Sequence, residues 1–220
     1  MGDRDAKTAL FDQFARVGKA LGSGKRLELL DLLAQGERTV EALAQAADLG
    51  VTTASAHLQT LKRSHLVATR REGTKVYYRL AGDDVAKLYA LVRCVASAHL
   101  ADVGAARAAY LGPDTDQVGR EELLRRVDAG EVAMVDVRPQ EEYAAGHIPG
   151  AMSIPLDELA GRLAELPADQ EVVAYCRGAY CVLAHEAVRL LAAQGRPASR
   201  LTGGMLEWRL ADLPVQQDAG

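Results

Sequence analysis

One stretch, Tyr175-Cys-Arg-Gly-Ala-Tyr-Cys181, constrains this chain more than any other, because the apolar run Val172-Val-Ala-Tyr175 enters it and a helical pattern over residues 182–194 leaves it. That order reads as strand, tight loop, helix. A loop of this kind turns successive backbone N–H groups toward a helix N-terminus, where they stabilise an anion or a thiolate and lower a cysteine's pKa. Cys176 is therefore the candidate nucleophile. The plain alternative is two buried cysteines acting as small hydrophobes.

Around the loop, helical and extended patterns alternate: residues 121–128, 132–137, 156–163, 171–175, 182–194 and 200–201. Such alternation predicts a parallel sheet with helices on both faces. A cysteine at a strand's C-terminal end then lies where open α/β sheets place ligands.

The first half of the chain has a different character. Residues 1–110 hold 16 Lys and Arg against 12 Asp and Glu, whereas residues 111–220 hold 10 against 18, within a total of −4. The basic excess gathers between Val51 and Arg79, where Lys62, Arg63, Arg70, Arg71, Lys75 and Arg79 face only Glu72. A basic cluster on an otherwise acidic chain is the footprint of a phosphate-backbone contact.

Local patterns give that cluster a scaffold. Residues 24–34 read as a helix with Leu27, Leu30 and Leu33 at near-helical spacing, ended by Gly36. Thr39 is placed to cap a second helix, whose Val40, Leu43 and Ala47 face inward. After the turn Asp48-Leu-Gly50, Thr52 or Thr53 is expected to cap a third helix with Ala54, Leu58 and Leu61 buried. Its outer face carries Thr53, Ser55, His57, Gln59, Lys62 and Arg63. Helix, turn, helix with a polar and basic second helix is the arrangement that enters a major groove. Hydroxyls, an amide and an imidazole can read base edges, while Lys and Arg hold phosphates. Residues 66–71 and 74–80, rich in β-branched and aromatic residues and joined at Glu72-Gly73, predict a hairpin beside it. Thr52, Arg70, Arg71 and Lys75 complete the candidate DNA-binding set.

Residues 82–110 are expected to form one long helix with Val85, Leu88, Leu91 or Val92, Val95 and His99 along a stripe, stopped by Gly112-Pro113. That stripe exceeds what one small domain can cover, so a partner helix is expected.

Over residues 8–110 the chain resembles the ArsR/SmtB family of winged-helix repressors, on the strength of Arg26-Leu-Glu-Leu-Leu30, Ala54-Ser-Ala-His-Leu-Gln59 and Arg71-Glu-Gly-Thr-Lys-Val-Tyr-Tyr-Arg-Leu80. The resemblance implies a homodimer through the first and last helices, and hence double-stranded DNA with an inverted-repeat operator. The paired cysteines of metal-responsive members are absent, since the equivalent stretch is Glu37-Arg-Thr-Val-Glu-Ala-Leu43. His99 and Asp102 share a face but do not make a closed zinc site. No metal site is assigned, and no cofactor. Cys94 reads as packing.

Residues 118–215 resemble a rhodanese-like domain through four motifs: Val135-Asp-Val-Arg138, Gly146-His-Ile-Pro-Gly-Ala151, the Cys176 loop, and Thr202-Gly-Gly-Met-Leu-Glu-Trp208 followed by Leu213-Pro214. The resemblance implies a persulfide on Cys176 and thus a possible sulfurtransferase. Many rhodaneses carry an arginine five positions after the nucleophile; here Cys181 stands there, as a resolving thiol, with Arg177 as the loop's cation for anion binding. The related arsenate reductases and dual-specificity phosphatases need an arginine six positions on, which is Val182, so phosphoryl chemistry is not expected. Asp136 and Arg138 are expected as an ion pair beneath the loop, and His147 as a structural hydrogen-bonding group.

The organisation expected is two domains: a mainly α winged helix-turn-helix over 1–110, a linker over 111–117 and an α/β rhodanese-like parallel sheet over 118–216. No apolar run approaches the roughly 18 residues of a membrane span. Residues 1–7 are polar, so a cytoplasmic chain is expected. Three cysteines in a reducing compartment read as redox, metal or catalytic groups. The function expected is a transcriptional repressor sensing a reactive sulfur, oxidant or thiophilic species through Cys176 and Cys181. The alternatives are a sulfurtransferase with an autoregulatory DNA-binding half, and a sensor of arsenic(III) or another soft metal.

Overall fold

The computed structural model describes residues 3–218, and the chain divides between Arg93 and Cys94 into two compact units. In the first unit, helices α1 (Arg4–Leu21) and α2 (Gly24–Leu33) lead to a short strand β1 (Arg38–Thr39) and helix α3 (Val40–Ala46). Thr39 caps α3 as the sequence predicts, its hydroxyl accepting from the Ala42 N–H. Helix α4 (Val51–Arg63) then begins two to three residues early, with Gly50 as its N-cap instead of Thr52 or Thr53. Glycine is also an accepted N-cap residue, and the extended backbone at Gly50 leaves both threonines helical and exposed.

Ala54, Leu58 and Leu61 of α4 are fully buried, together with Leu29 and Leu30 of α2 and Leu43 of α3. Truncating a leucine in such a position costs roughly 2–5 kcal/mol, so this three-helix core dictates which face of α4 stays outside. Strands β2 (Val67–Glu72) and β3 (Lys75–Leu80) form the hairpin, with Glu72 paired to Lys75. The turn is therefore Gly73-Thr74, one residue beyond the predicted Glu72-Gly73, and Gly73 takes φ 58° there. Strand β1 pairs with β3, which makes a three-stranded antiparallel sheet that the hairpin pattern alone did not reveal.

The expected long helix is two helices. Helix α5 (Asp83–His99) ends at Leu100, and α6 (Asp102–Leu111) follows at a bend of 112°. Neither proline nor glycine marks the break; Asp102 in the first turn of α6, where an acid suits the helix dipole, is its single local signal. Within α5 the stripe is only partly buried: Val85 is packed and Leu88 and Val92 are half-buried, whereas Leu91, Val95 and His99 are exposed. Among the described residues, no single helix is long and apolar enough to cross a membrane.

The second unit continues through β4 (Gln117–Val118), α7 (Arg120–Asp128), β5 (Val132–Asp136), α8 (Gln140–Ala144), β6 (Met152–Ser153) and α9 (Leu156–Leu159). A 3₁₀ turn (Leu163–Glu165), β7 (Glu171–Tyr175), α10 (Val182–Ala193), β8 (Ala198–Leu201) and α11 (Met205–Leu210) complete it. The predicted helix over 156–163 is thus split, with Gly161 in the gap. The five strands run parallel in the order β4-β8-β7-β5-β6.

Alternate residues of β7 enter opposite layers. Val172 and Ala174 pack with Ala187 and Leu191 of α10, while Val173 and Tyr175 pack with Leu123 of α7 and Met205 and Trp208 of α11. A strand buried on both sides reads as a continuous apolar run, which is how residues 172–175 appear in the sequence. Cys176 follows at the C-terminal end of this central strand.

Candidate functional site

The loop between β7 and α10 is built around two buried thiols. Cys176 is 1% exposed and Cys181 9% exposed. Cys181 is the N-cap residue of α10, and its N–H closes a turn onto the Gly178 carbonyl at 3.0 Å. The Cys176 thiol points at the carbonyl oxygens of Cys181, at 3.5 Å, and Gly178, at 3.9 Å. The loop's outer rim is pinned by α11: the Met205 and Leu206 N–H groups donate to the carbonyls of Cys176 and Arg177, both at 2.9 Å.

That pinning depends on Gly204. A Cβ there would lie 2.4 Å from the Cys176 carbonyl oxygen and 2.5 Å from the Gly178 nitrogen, both backbone atoms with little freedom to retreat. The Gly203-Gly204 pair was visible in the sequence as part of a motif. Its reason, close approach of two backbones, was not.

The two thiols are not equivalent. Burial pushes the Cys176 thiol well above the ordinary range, and the neighbouring Cys181 reinforces this. Cys181 is instead drawn down by the hydrogen bond from Cys176, against its own burial, with the Arg177 charge helping. The direction at Cys176 is thus opposite to the lowering expected of it: burial holds its thiol in the neutral form, and the lowered member of the pair is Cys181.

Arg177 is engaged elsewhere. Its Nε and Nη2 donate to the Glu142 carboxylate of α8 at 2.9 and 2.6 Å, and Glu142 is 1% exposed. The bidentate pairing neutralises the cation that the sequence offered for anion binding. Nothing in the sequence marked Glu142, whose partner lies 35 residues away.

Asp136 and Arg138 form the anticipated pair, fully buried, with Arg138 Nε 2.9 Å from Oδ1 and Nη2 2.5 Å from Oδ2. Arg138 also donates to the Gly146 carbonyl at 2.8 Å, which ties the end of β5 to the Gly146-His147 turn. His147 Nδ1 is 3.0 Å from the Tyr143 carbonyl and its ring stacks on Tyr143, consistent with a structural part.

In the first unit, α4 presents Thr52, Thr53, Gln59, Lys62 and Arg63 as exposed side chains, with Ser55 and His57 half-buried. Two of them reach the hairpin: Lys62 donates to the Thr69 hydroxyl and Gln59 to the Tyr78 hydroxyl, each at 2.9 Å. A cleft of about 460 Å³ lies between helix and hairpin, lined by Ser55, Gln59, Lys62, Thr69, Arg71 and Tyr78. Arg70 is held by Glu37 and Glu72, at 2.5 Å each, and lies over the Tyr77 ring. Arg71, Lys75 and Arg79 make no ion pair within 4.0 Å among the described residues, so the hairpin's available charge is theirs.

Comparison with known proteins bears on both units. The bacterial regulatory protein arsR family matches residues 23–69, and the rhodanese-like domain matches residues 119–211. The HTH-type transcriptional regulator Rv0324 of Mycobacterium tuberculosis is 63% identical over 218 residues, 99% of this chain and 96% of that protein. The chain belongs to the ArsR family of transcriptional regulators.

In this ArsR-family regulator, the helix-turn-helix is α3 and α4, the wing is the β2-β3 hairpin, and a rhodanese-like domain follows. That second domain is similar to a sulfurtransferase of Allochromatium vinosum, 33% identical over 107 residues, 48% of this chain and 98% of that protein. Among solved structures, the winged helix-turn-helix DNA-binding domain of Mb0332 from Mycobacterium bovis, described as homodimeric and as a possible ArsR-family regulator, is 63% identical. It covers 46% of this chain and 93% of its own, with a TM-score of 0.43.

Proposed function

We propose that this ArsR-family regulator is a homodimeric repressor, with functional domains at 1–110 and 118–216, that binds an inverted-repeat operator and senses reactive sulfur or oxidant through Cys176 and Cys181. The observation that carries this reading is the pair of buried thiols in one tight loop, Cys176 at the end of β7 and Cys181 capping α10. A pair so disposed suits a two-step response. A thiolate attacks a sulfane sulfur of a polysulfide, the S–S bond breaks, and a shortened polysulfide leaves with the electron pair. If the persulfide forms on Cys176, the Cys181 thiolate attacks the Cys176 sulfur and expels hydrosulfide; two thiols are thereby oxidised to a disulfide while sulfane sulfur is reduced to sulfide.

Exposed Phe11 and Phe14 on α1 and Leu91 on α5 support the dimer, because apolar groups of this size in the first and last helices of the DNA-binding half invite a second copy. Tyr180, inside the cysteine loop, shares a hydrogen bond with Ser97 on α5. A loop rearrangement therefore has a direct contact with the C-terminal turns of the helix that the dimer would use.

Operator binding by the full chain, followed by fluorescence anisotropy with intact-protein mass spectrometry, tests the reading. Polysulfide or peroxide is expected to change affinity about 5- to 150-fold in the wild type, the range of a coupling free energy of roughly 1–3 kcal/mol. Cys176→Ser and Cys181→Ser should not respond, and a reductant should restore the wild type. A response that persists in both variants rejects the loop as sensor. The sulfurtransferase reading is favoured by one observation, the similarity of the whole Allochromatium sulfurtransferase to this domain. Repeated turnover of thiosulfate with cyanide would select it.

A further inference from the structure

The segment joining α6 to β4 is held by a group of cations that have no carboxylate partner. Arg189 of α10 donates to the carbonyls of Leu111 and Pro113 at 3.1 and 3.2 Å. Arg200 of β8 donates through Nε to the Thr115 hydroxyl at 3.2 Å and through Nη2 to Gln117 at 2.6 Å. His185, one turn along α10 from Cys181 and 2% exposed, has its Nδ1 3.2 Å from the same Thr115 hydroxyl. Its Nε2 is buried without any hydrogen-bond partner.

Like charges meet here. His185 is pulled down to about 4, first by burial and then by the charges of Arg200, Arg189 and Arg107 of α6, with Asp114 opposing them. Arg107 is exposed and neither it, Arg189 nor Arg200 forms a salt bridge among the described residues. Three guanidinium groups acting on an imidazole whose Nε2 lacks a partner are costly unless an anion joins them.

From this geometry we infer that Arg107, His185, Arg189 and Arg200 form a binding site for a compact divalent oxyanion of the sulfate or thiosulfate kind, separate from the cysteine loop. The Thr115 hydroxyl and the unused Nη1 of Arg200 add donors to it. Occupation would tie α6, the joining segment, α10 and β8 together through one ligand. It would also favour the imidazolium form of His185, so that a proton is taken up with the anion. With a free value of about 4, His185 is neutral at pH 8. Affinity therefore rises as pH falls through the bound-state value of His185 toward its free one, by up to about tenfold per unit.

Calorimetric titration of the full chain with sodium sulfate and with sodium thiosulfate, at constant ionic strength in chloride, tests the site; neither anion itself titrates between pH 5 and 8. Saturable binding of both, tighter at pH 5.5 than at pH 8, is expected. Arg200→Gln should weaken it about tenfold or more, the worth of a lost charge-assisted contact. Arg107→Gln, on an exposed side chain with no hydrogen bond to lose, should weaken it several-fold without touching the fold, and His185→Gln should flatten the pH dependence. Binding must survive in the Cys176→Ser, Cys181→Ser double variant, whatever becomes of sulfur sensing. Absence of saturation at tens of millimolar, unchanged affinity in Arg107→Gln, or binding that vanishes with the two cysteines would each overturn the assignment.

Discussion

Arg177 lies between two cysteines, yet its guanidinium is committed to the buried carboxylate of Glu142, with two donors at 2.9 and 2.6 Å. The loop's own cation thus steadies the loop more than it attracts an incoming anion. Glu142→Gln should release it. Cys181, which Arg177 already draws down, is then expected to react several-fold faster with an anionic disulfide reagent at pH 7. Loss of a buried charged hydrogen bond should cost stability of roughly 1.5–3 kcal/mol in urea denaturation. Unchanged thiol reactivity in a folded variant would mean that Glu142 does not restrain Arg177's charge.

The order of alkylation reads out the polarity of the thiol pair. Cys181 is held below, and Cys176 above, the ordinary range. As pH rises from 6, peptide mapping after brief iodoacetamide treatment should find Cys181 labelled first. In Cys181→Ser the opposing charge is gone, so the pH midpoint for labelling Cys176 should fall relative to wild type. Cys176 labelled first in the wild type would reverse the assignment.

Gly204→Ala forces a methyl group against the backbone of the cysteine loop, where no side chain can move aside. Overpacking of this kind costs roughly 1–3 kcal/mol. The expected result is a destabilised second unit with faster amide exchange at Met205 and Leu206, whose N–H groups pin the loop. The same substitution at Gly104, inside helix α6 with open space around it, should be neutral or slightly stabilising.

On the wing, Arg71 and Lys75 carry charge that Arg70 has already given to Glu37 and Glu72. Salt-titrated operator binding should therefore lose a slope of about 1 for each of Arg71→Ala and Lys75→Ala, and of less than that for Arg70→Ala. Lys62→Ala and Arg63→Ala on α4 should behave as the first two do. His57 or Gln59 replacements should instead relax sequence preference. Wild-type slopes in Arg71→Ala and Lys75→Ala would remove the wing from the interface.

Much of this protein is local enough to be read from its sequence. Thr39 caps α3, Ala54, Leu58 and Leu61 form the buried stripe of α4, and Glu171–Tyr175 is a strand doubly buried as its unbroken apolar run implies. Each rests on period, capping or turn chemistry within a few residues. The cysteine loop and both family resemblances were legible for the same reason, since their motifs are contiguous. The break between α5 and α6, the commitment of Arg177 to Glu142, the lowering of Cys181 in place of Cys176 and the unpaired cations around His185 were not. These arise where segments up to 93 residues apart meet, as Arg107 and Arg200 do beside His185. Local sequence sets which groups are available, but charge and burial are sums over spatial neighbours, and only the packed structure decides which neighbours those are.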